Sequence, residues 1–380
     1  MPFREFVPLI RVGSADTSEH LDFVAEKPRA EAEKEPTEDA MGSALYNPIR
    51  LTFLALAASG LAALQANAQQ ADAALIAAAQ AEGQVVFYNG ANITVPRPLA
   101  EKFEKKFGVK VVTFEGRASG VQERLRSELG TGRKISDVLG GGSGSMVDAM
   151  KAGLLQPHGA LTSLARLREQ FRGNDVIVPY MFAKYGLLVN TTLVSEAEQP
   201  RSWFDLLEPK WKGKILADDP RAAGSGNSAF RVLYEVFGRE FHERLAAQEL
   251  VLSRDVLITG QRIARGEYPI YIPYSMQGIL TLPGLPVRAS IPNEGAPITS
   301  ISLAMVKDAP HPNAARLFMD FYLTEEAQEV VVDKGYDSVT NDRSDKIQPA
   351  MKPFANAKLM PEADPERLNE MFDIFKQLYK

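Results

Sequence analysis

The chain of 380 residues is 45% hydrophobic and 24% charged, which is typical of a globular protein large enough for two hydrophobic cores. It contains no cysteine, which excludes disulfide bonds, thiolate metal sites and a cysteine nucleophile. The net charge of −5 arises mostly from residues 1–40, and the rest is nearly neutral, so neither nucleic acid nor a membrane surface is predicted as a partner. The four histidines lack the spacing of a zinc site, and no metal or cofactor is predicted.

An apolar run of fourteen residues, Leu51–Leu64, follows a basic residue and precedes the small-residue sequence Ala66–Ala68. Because the run is short for a membrane span, this order predicts a secretory signal peptide over residues 41–68, cleaved after Ala68. A buried helix is the alternative. Residues 1–40 lack periodicity, and we interpret them as an extension outside the fold, with translation starting at Met41.

The chain then alternates short apolar strands with amphipathic helices. Strands are predicted at Val85–Tyr88, within Val109–Gly116 and within Ile135–Gly141. The helices between them are indicated by two apolar stripes at helical spacing: Leu99, Phe103 and Phe107, then Val121, Leu125 and Leu129. This alternation predicts an α/β fold with a parallel sheet flanked by helices.

Small and polar residues follow each of these three strands. Since a ligand crevice lies beyond the carboxyl ends of parallel strands, residues at these ends are candidates for ligand contact. The first two strand ends supply Asn89, Arg117 and Ser119.

A second α/β unit follows, with strands predicted at Tyr185–Asn190, Lys214–Ala217 and Tyr268–Tyr274. A further strand begins near Ser300, and the helix pair after it carries an apolar stripe through Ala314, Leu317, Phe318 and Phe321.

The glycine-serine turn Gly140–Ser145 stands after the third strand and before a helix. It lacks the lysine of a Walker A loop, and its glycine spacing departs from the dinucleotide fingerprint at Val147, so no nucleotide is predicted. A helix N-terminus offers unpaired N–H donors that favour an anion, which makes Ser143 and Ser145 candidate ligand contacts. Simple helix capping by either serine is the alternative.

The second unit contains a similar turn, in which Ser225, Gly226 and Asn227 open a helix shortly after Arg221. Capping is again the alternative, but two such turns together favour one ligand shared between two lobes.

A tyrosine-rich strand and a Pro/Gly-flanked segment supply the remaining candidates. Tyr271, Tyr274 and Ser275 lie at or near the strand end, although residues three apart on a strand point to opposite faces. Glu294 either contacts ligand or accepts hydrogen bonds from backbone groups of a crossing segment.

No enzymatic constellation is present: the chain has no G-x-S-x-G elbow and no H-E-x-x-H motif. The adjacent carboxylates Asp218 and Asp219, followed by proline, are interpreted as a turn. We therefore predict that the protein is not an enzyme.

The order of these segments resembles the extracellular solute-binding proteins of bacterial ABC importers, in the branch of ferric-iron, phosphonate and sugar-phosphate binders. The most specific pieces are K-W-K-G-K-I-x-x-x-D-P-R, starting at Lys210, and the helix pair Ala309–Gln328. The resemblance extends over residues 84–340.

The resemblance implies a two-lobed type 2 periplasmic-binding fold that closes on ligand by hinge bending, with the ligand cleft between the lobes. Each lobe is expected to hold a mostly parallel sheet flanked by helices. The implied limits are residues 69–180 plus 297–340 for lobe 1, 181–287 plus 345–380 for lobe 2, and crossovers near 179–183 and 288–296.

The resemblance also implies a periplasmic, monomeric protein that delivers a small-molecule ligand to a membrane permease. Ferric members of the branch carry two adjacent tyrosines near the second crossover, whereas Tyr274 is followed here by Ser275. With the serine turns and nearby arginines, this favours a small anion (a phosphonate, phosphate ester or carboxylate) over iron. Ferric iron is the alternative, followed by a sensory role or an enzyme on the same scaffold.

Overall fold

The computed structural model describes residues 72–91, 94–222, 224–340 and 346–380, without the side chains of residues 256 and 257. The predicted N-terminal extension and signal peptide lie outside the described residues. No helix in the described part of the chain is long and apolar enough to cross a membrane.

The strands of the described residues are, in chain order, β1 (Gln84–Asn89), β2 (Lys110–Glu115), β3 (Val138–Gly142), β4 (Leu155–Gln156), β5 (Ile177–Asn190), β6 (Ile215–Asp218), β7 (Val251–Ser253), β8 (Ile270–Ser275), β9 (Val287–Ser290), β10 (Ile298–Val306) and β11 (Asp337–Ser338). The helices are α1 (72–82), α2 (Pro96–Phe107), α3 (Ala118–Gly130), α4 (Ser143–Lys151), α5 (Ser225–Ala246), α6 (Val256–Ala264), α7 (Pro312–Phe321), α8 (Glu325–Asp333) and α9 (Leu368–Leu378). Short 3₁₀ turns, including Pro365–Arg367, connect several of them.

Lobe 1 is built on the strand order β2-β1-β3-β10-β5. Strands β1, β2 and β3 are parallel, as their alternation with helices predicts, whereas β10 runs antiparallel to both β3 and β5. Its core contains the predicted stripes: Leu99 and Phe103 are fully buried, and Phe103 packs against Phe318 with ring centroids 5.1 Å apart.

Lobe 2 is built on the order β5-β8-β6-β7, with β9 also paired to β5. Strand β6 is parallel to β7 and β8, and β8 is antiparallel to β5. Its core is a separate cluster that includes Trp203, Phe230 and Phe375, so α9 packs on this lobe.

The 14-residue strand β5 passes through both lobes. Its pairing with β10 extends to Lys184, and its pairing with β8 begins at Tyr185. The chain returns to lobe 1 between β9 and β10, and there Ala296 exchanges backbone hydrogen bonds of 2.8 Å with Lys358 and Met360. These crossing segments place the ends of β3 and β6 on either side of the hinge.

The two-lobed α/β architecture predicted from the sequence is confirmed. The sheet contains more antiparallel strand pairs than the alternation of strands and helices predicts. The reason is that β5 and β10, which link the lobes, pair antiparallel with each other, β10 also with β3, and β5 also with β8.

Candidate functional site

The first part of the candidate site is the turn between β3 and α4. Helix α4 begins at Ser143, with Gly142 as N-cap and no described side chain capping it. The Ser143 hydroxyl is hydrogen-bonded with the carboxylate of Glu362 and lies 3.2 Å from the carbonyl oxygen of Ser300. The backbone N–H of Ser300 donates to Glu362 Oε1 at 2.7 Å. A carboxylate therefore lies beside the first residue of α4, held by a side-chain hydroxyl of that helix and by an N–H of β10.

The glycines of this turn provide space rather than an unusual backbone conformation. A Cβ on Gly140 would lie 2.8 Å from the ring of Phe87, and one on Gly144 would lie 3.2 Å from a methyl group of Leu368. Gly144 thus lets helix α4 approach the C-terminal segment that carries Glu362.

The second part is the turn between β6 and α5. The Asp218 carboxylate accepts hydrogen bonds from Ser225 Oγ at 2.5 Å and from the Gly226 N–H at 2.6 Å. A Cβ on Gly226 would lie 2.7 Å from the Asp218 carbonyl oxygen, so no larger residue fits without a shift of backbone. Burial raises the pKa of Asp218, and these two donors oppose that rise.

Tyr185 lies on the crossing strand between the two turns. Burial raises the pKa of its hydroxyl, and the carboxylates of Asp218 and Glu362 contribute to the same rise. The pKa of this one phenol at the hinge therefore depends on the carboxylates of both turns.

Arg231 of α5 brings a positive charge to the α4 turn. Its side chain is only 4% exposed, and its guanidinium donates to the carbonyl oxygen of Asp364. Burial lowers its pKa, and the surrounding carboxylates, Glu362 among them, oppose that effect. Its Nε has no hydrogen-bond partner among the described residues.

Most predicted residues of the α5 turn are engaged inside lobe 2. Arg221 pairs with Asp219 at 2.8 Å and lines a surface pocket of about 410 Å³ with α9. Asn227 Nδ2 donates to the carbonyl oxygen of Pro220 at 2.9 Å, which closes the loop before α5.

The tyrosine-rich strand lies beside the same turn. Tyr271 is buried, and burial raises its pKa, with Asp218 adding to the rise. The Tyr274 hydroxyl has no partner among the described residues, and Ser275 Oγ donates to Gln277 at 2.8 Å. Glu294 points elsewhere, since it accepts from Ser202 Oγ at 2.5 Å and from the Trp203 N–H at 3.1 Å.

The remaining lobe 1 candidates differ in exposure, from buried Asn89 through half-buried Ser145 to exposed Arg117 and Ser119. Asn89 is 1% exposed, and its Nδ2 has no partner in the described ranges. Ser145 Oγ donates to the Gly142 carbonyl oxygen at 2.8 Å. Arg117 and Ser119 are exposed at the start of α3.

The structure adds five residues that the sequence does not mark as ligand contacts: Asp218, Tyr185, Arg231, Ser300 and Glu362. Asp218 could have been found, because it directly follows the predicted strand Lys214–Ala217, at the strand end where ligand contacts are expected. Glu362 could not, since it lies 219 positions from Ser143 in a segment without periodicity.

Within the described ranges, no group of three His, Cys, Asp or Glu residues is placed to hold a metal ion.

Comparison with known proteins now places this architecture. The model of the family described as bacterial extracellular solute-binding protein matches residues 84–337, so the chain belongs to that family. An uncharacterized protein of Haemophilus influenzae is 25% identical over 306 residues, which cover 76% of this chain and 84% of that protein.

Two solved structures illustrate the shared fold. Iron-bound HitA from Pseudomonas aeruginosa matches with a TM-score of 0.67 and 22% identity, covering 78% of this chain and 99% of HitA. AfuA from Actinobacillus pleuropneumoniae, with fructose-6-phosphate bound, matches with a TM-score of 0.63 and 21% identity, covering 78% of this chain and 96% of AfuA. These likenesses confirm the type 2 periplasmic-binding fold.

Proposed function

We propose that the protein is the substrate-binding component of an ABC importer, which captures a small anionic solute between its lobes and delivers it to a membrane permease. The observation that carries this proposal is the carboxylate of Glu362, held by Ser143 Oγ and the Ser300 N–H beside the buried guanidinium of Arg231. These donors and this cation suit one carboxylate or phosphoryl group of a solute.

Closure by hinge bending at β5 and at the β9–β10 crossing follows from the same geometry, because the two turns lie on opposite sides of these segments. The protein acts in the periplasm as a monomer, after removal of the signal peptide at Ala68, and binds its solute without turnover. Its family is described as extracellular solute-binding protein, and AfuA is a periplasmic binding protein, which supports binding without catalysis.

The test is a thermal-shift screen of the purified protein with sugar phosphates, phosphonates, small carboxylates and ferric citrate. A ligand at a hundred times its dissociation constant stabilises the folded state by about 2.7 kcal/mol. We expect a response to at least one organic anion and a smaller response after Ser143→Ala. The absence of any response to the organic anions would overturn the anionic assignment.

Ferric iron is the second candidate, because lobe 2 offers oxygen donors of the kind that Fe³⁺ prefers. Asp218, Tyr271 and Tyr274 provide one carboxylate and two phenols in neighbouring strands, and the rings of the two tyrosines lie 6.1 Å apart. Iron bound by these phenolates would produce a visible absorption band that Tyr271→Phe weakens and that the combined change Tyr271→Phe and Tyr274→Phe abolishes. A band with ferric citrate, without a response to organic anions, would favour iron.

A further inference from the structure

The carboxylate at the α4 turn comes from a segment anchored to lobe 2. Ala363 lies in the core cluster of that lobe, and the N–H of Asp364 donates to the carboxylate of Glu235 at 3.0 Å. The donors that hold Glu362, Ser143 and Ser300, belong to lobe 1. One side chain therefore joins the two lobes at the position proposed for the solute.

The surroundings of Glu362 hold more hydrogen-bonding capacity than one carboxylate uses. Ser300 is 3% exposed, and its Oγ has no hydrogen-bond partner among the described residues. The Nε of Arg231, in a residue 4% exposed, is also without a partner there. Because buried donors are normally satisfied, these two groups provide donors that an oxyanion larger than a carboxylate would use.

A second contact reinforces the same junction. Lys151, at the end of α4, pairs with Glu366 at 2.5 Å, and both side chains are about half exposed. The segment thus offers two carboxylates to lobe 1, of which only Glu362 reaches the serine donors.

We propose that Glu362 is an internal pseudo-ligand, which occupies the oxyanion position of the α4 turn until the anionic group of the solute displaces it. This inference rests on the proposed function. Two carboxylates cannot share the donors of Ser143 and Ser300 without strong repulsion, so solute binding requires Glu362 to leave. Its release breaks one link between the lobes, which couples occupancy of the site to hinge motion.

The pseudo-ligand lowers the apparent affinity for any oxyanion by the fraction of molecules in which the position is free. Inorganic phosphate is the probe, and its dissociation constant is measured by isothermal titration calorimetry on the full chain. We expect Glu362→Gln to bind phosphate about tenfold more tightly than the wild type. Equal affinity in the two proteins would overturn the proposal.

Glu366→Gln is the matched control, because it removes the same charge from the same segment without contacting the serines. It should leave phosphate affinity close to that of the wild type, and an equal gain there would assign the effect to net charge and overturn the proposal. Adding Ser143→Ala to Glu362→Gln should abolish the gain. A gain that survives would place the phosphate elsewhere and also overturn the proposal.

The solute screen and this titration can fail separately. If no panel solute binds but Glu362→Gln gains phosphate affinity through Ser143, the solute assignment fails while the pseudo-ligand stands. If a solute binds through Ser143 but Glu362→Gln gains nothing, only the pseudo-ligand fails. Circular dichroism of each variant verifies that the fold is retained.

Discussion

The α4 and α5 turns have similar sequences, but the carboxylates that accept hydrogen bonds at them come from different parts of the chain. At α5 the carboxylate comes from Asp218, eight positions before the Gly226 N–H that it binds. At α4 it comes from Glu362, on a segment anchored to the other lobe. The α5 turn is therefore closed by its own strand, whereas the α4 turn is closed by a group that can leave. A glycine-serine turn at a strand end does not reveal by itself whether its donors are free.

The largest expected difference between the two turns follows from adding one methyl group to each. In Gly226→Ala the new Cβ would meet the backbone of Asp218 at 2.7 Å, so we expect a loss of about 3 kcal/mol in the free energy of unfolding. Gly144→Ala meets only the ends of side chains, a methyl group of Leu368 at 3.2 Å and Nη1 of Arg231 at 3.5 Å, and should stay within about 1 kcal/mol of the wild type. Urea denaturation of both variants measures the difference, and similar losses would show that the turns are equally constrained.

Removal of each carboxylate should have a smaller effect, again larger at α5. Asp218→Ala leaves Ser225 Oγ and the buried Gly226 N–H without their acceptor, and we expect a loss of about 2 kcal/mol in unfolding free energy. Glu362→Ala should cost less than about 1 kcal/mol, because this side chain is only half-buried and water can replace it. An equal cost at the two positions, measured by denaturation without ligand, would contradict a removable Glu362.

The smallest expected effect is a pH dependence of the unfolding free energy that comes from a buried histidine of lobe 2. Burial lowers the pKa of His242, in the lobe 2 core, from its ordinary 6.5 to about 3. The unfolded chain then binds more protons than the folded one between these values, so stability falls as pH decreases through about 6.5. From pH 7 to 5.5 this residue should remove about 1 kcal/mol of unfolding free energy.

Comparison of the wild type with His242→Gln at both pH values isolates this contribution, since other groups titrate equally in the two proteins. The variant should lose less stability on acidification. Tyr379→Phe, which removes the hydroxyl 2.6 Å from His242 Nδ1 but keeps the imidazole, should retain the pH dependence. Identical slopes in His242→Gln and the wild type would contradict a neutral, buried His242.

The sequence alone determined the features that depend on local spacing. The stripe through Leu99 and Phe103 predicted a helix because residues four apart share a face, and both side chains are buried. Short apolar strands ending in glycine-serine turns likewise predicted the parallel portions of both sheets. The resemblance of the motif order to solute-binding proteins implied the two-lobed fold, and the model of that family matches residues 84–337.

The partner of each turn, in contrast, depends on the packing of the whole chain. Helix N-termini attract an acceptor, but which acceptor arrives depends on contacts between residues far apart in the chain. Ser143 meets Glu362 only because β5 and the β9–β10 crossing set the lobes face to face and Ala296 holds the C-terminal segment along the hinge. Sequence periodicity cannot predict this contact, because periodicity reports on neighbouring side chains and these two residues are 219 positions apart.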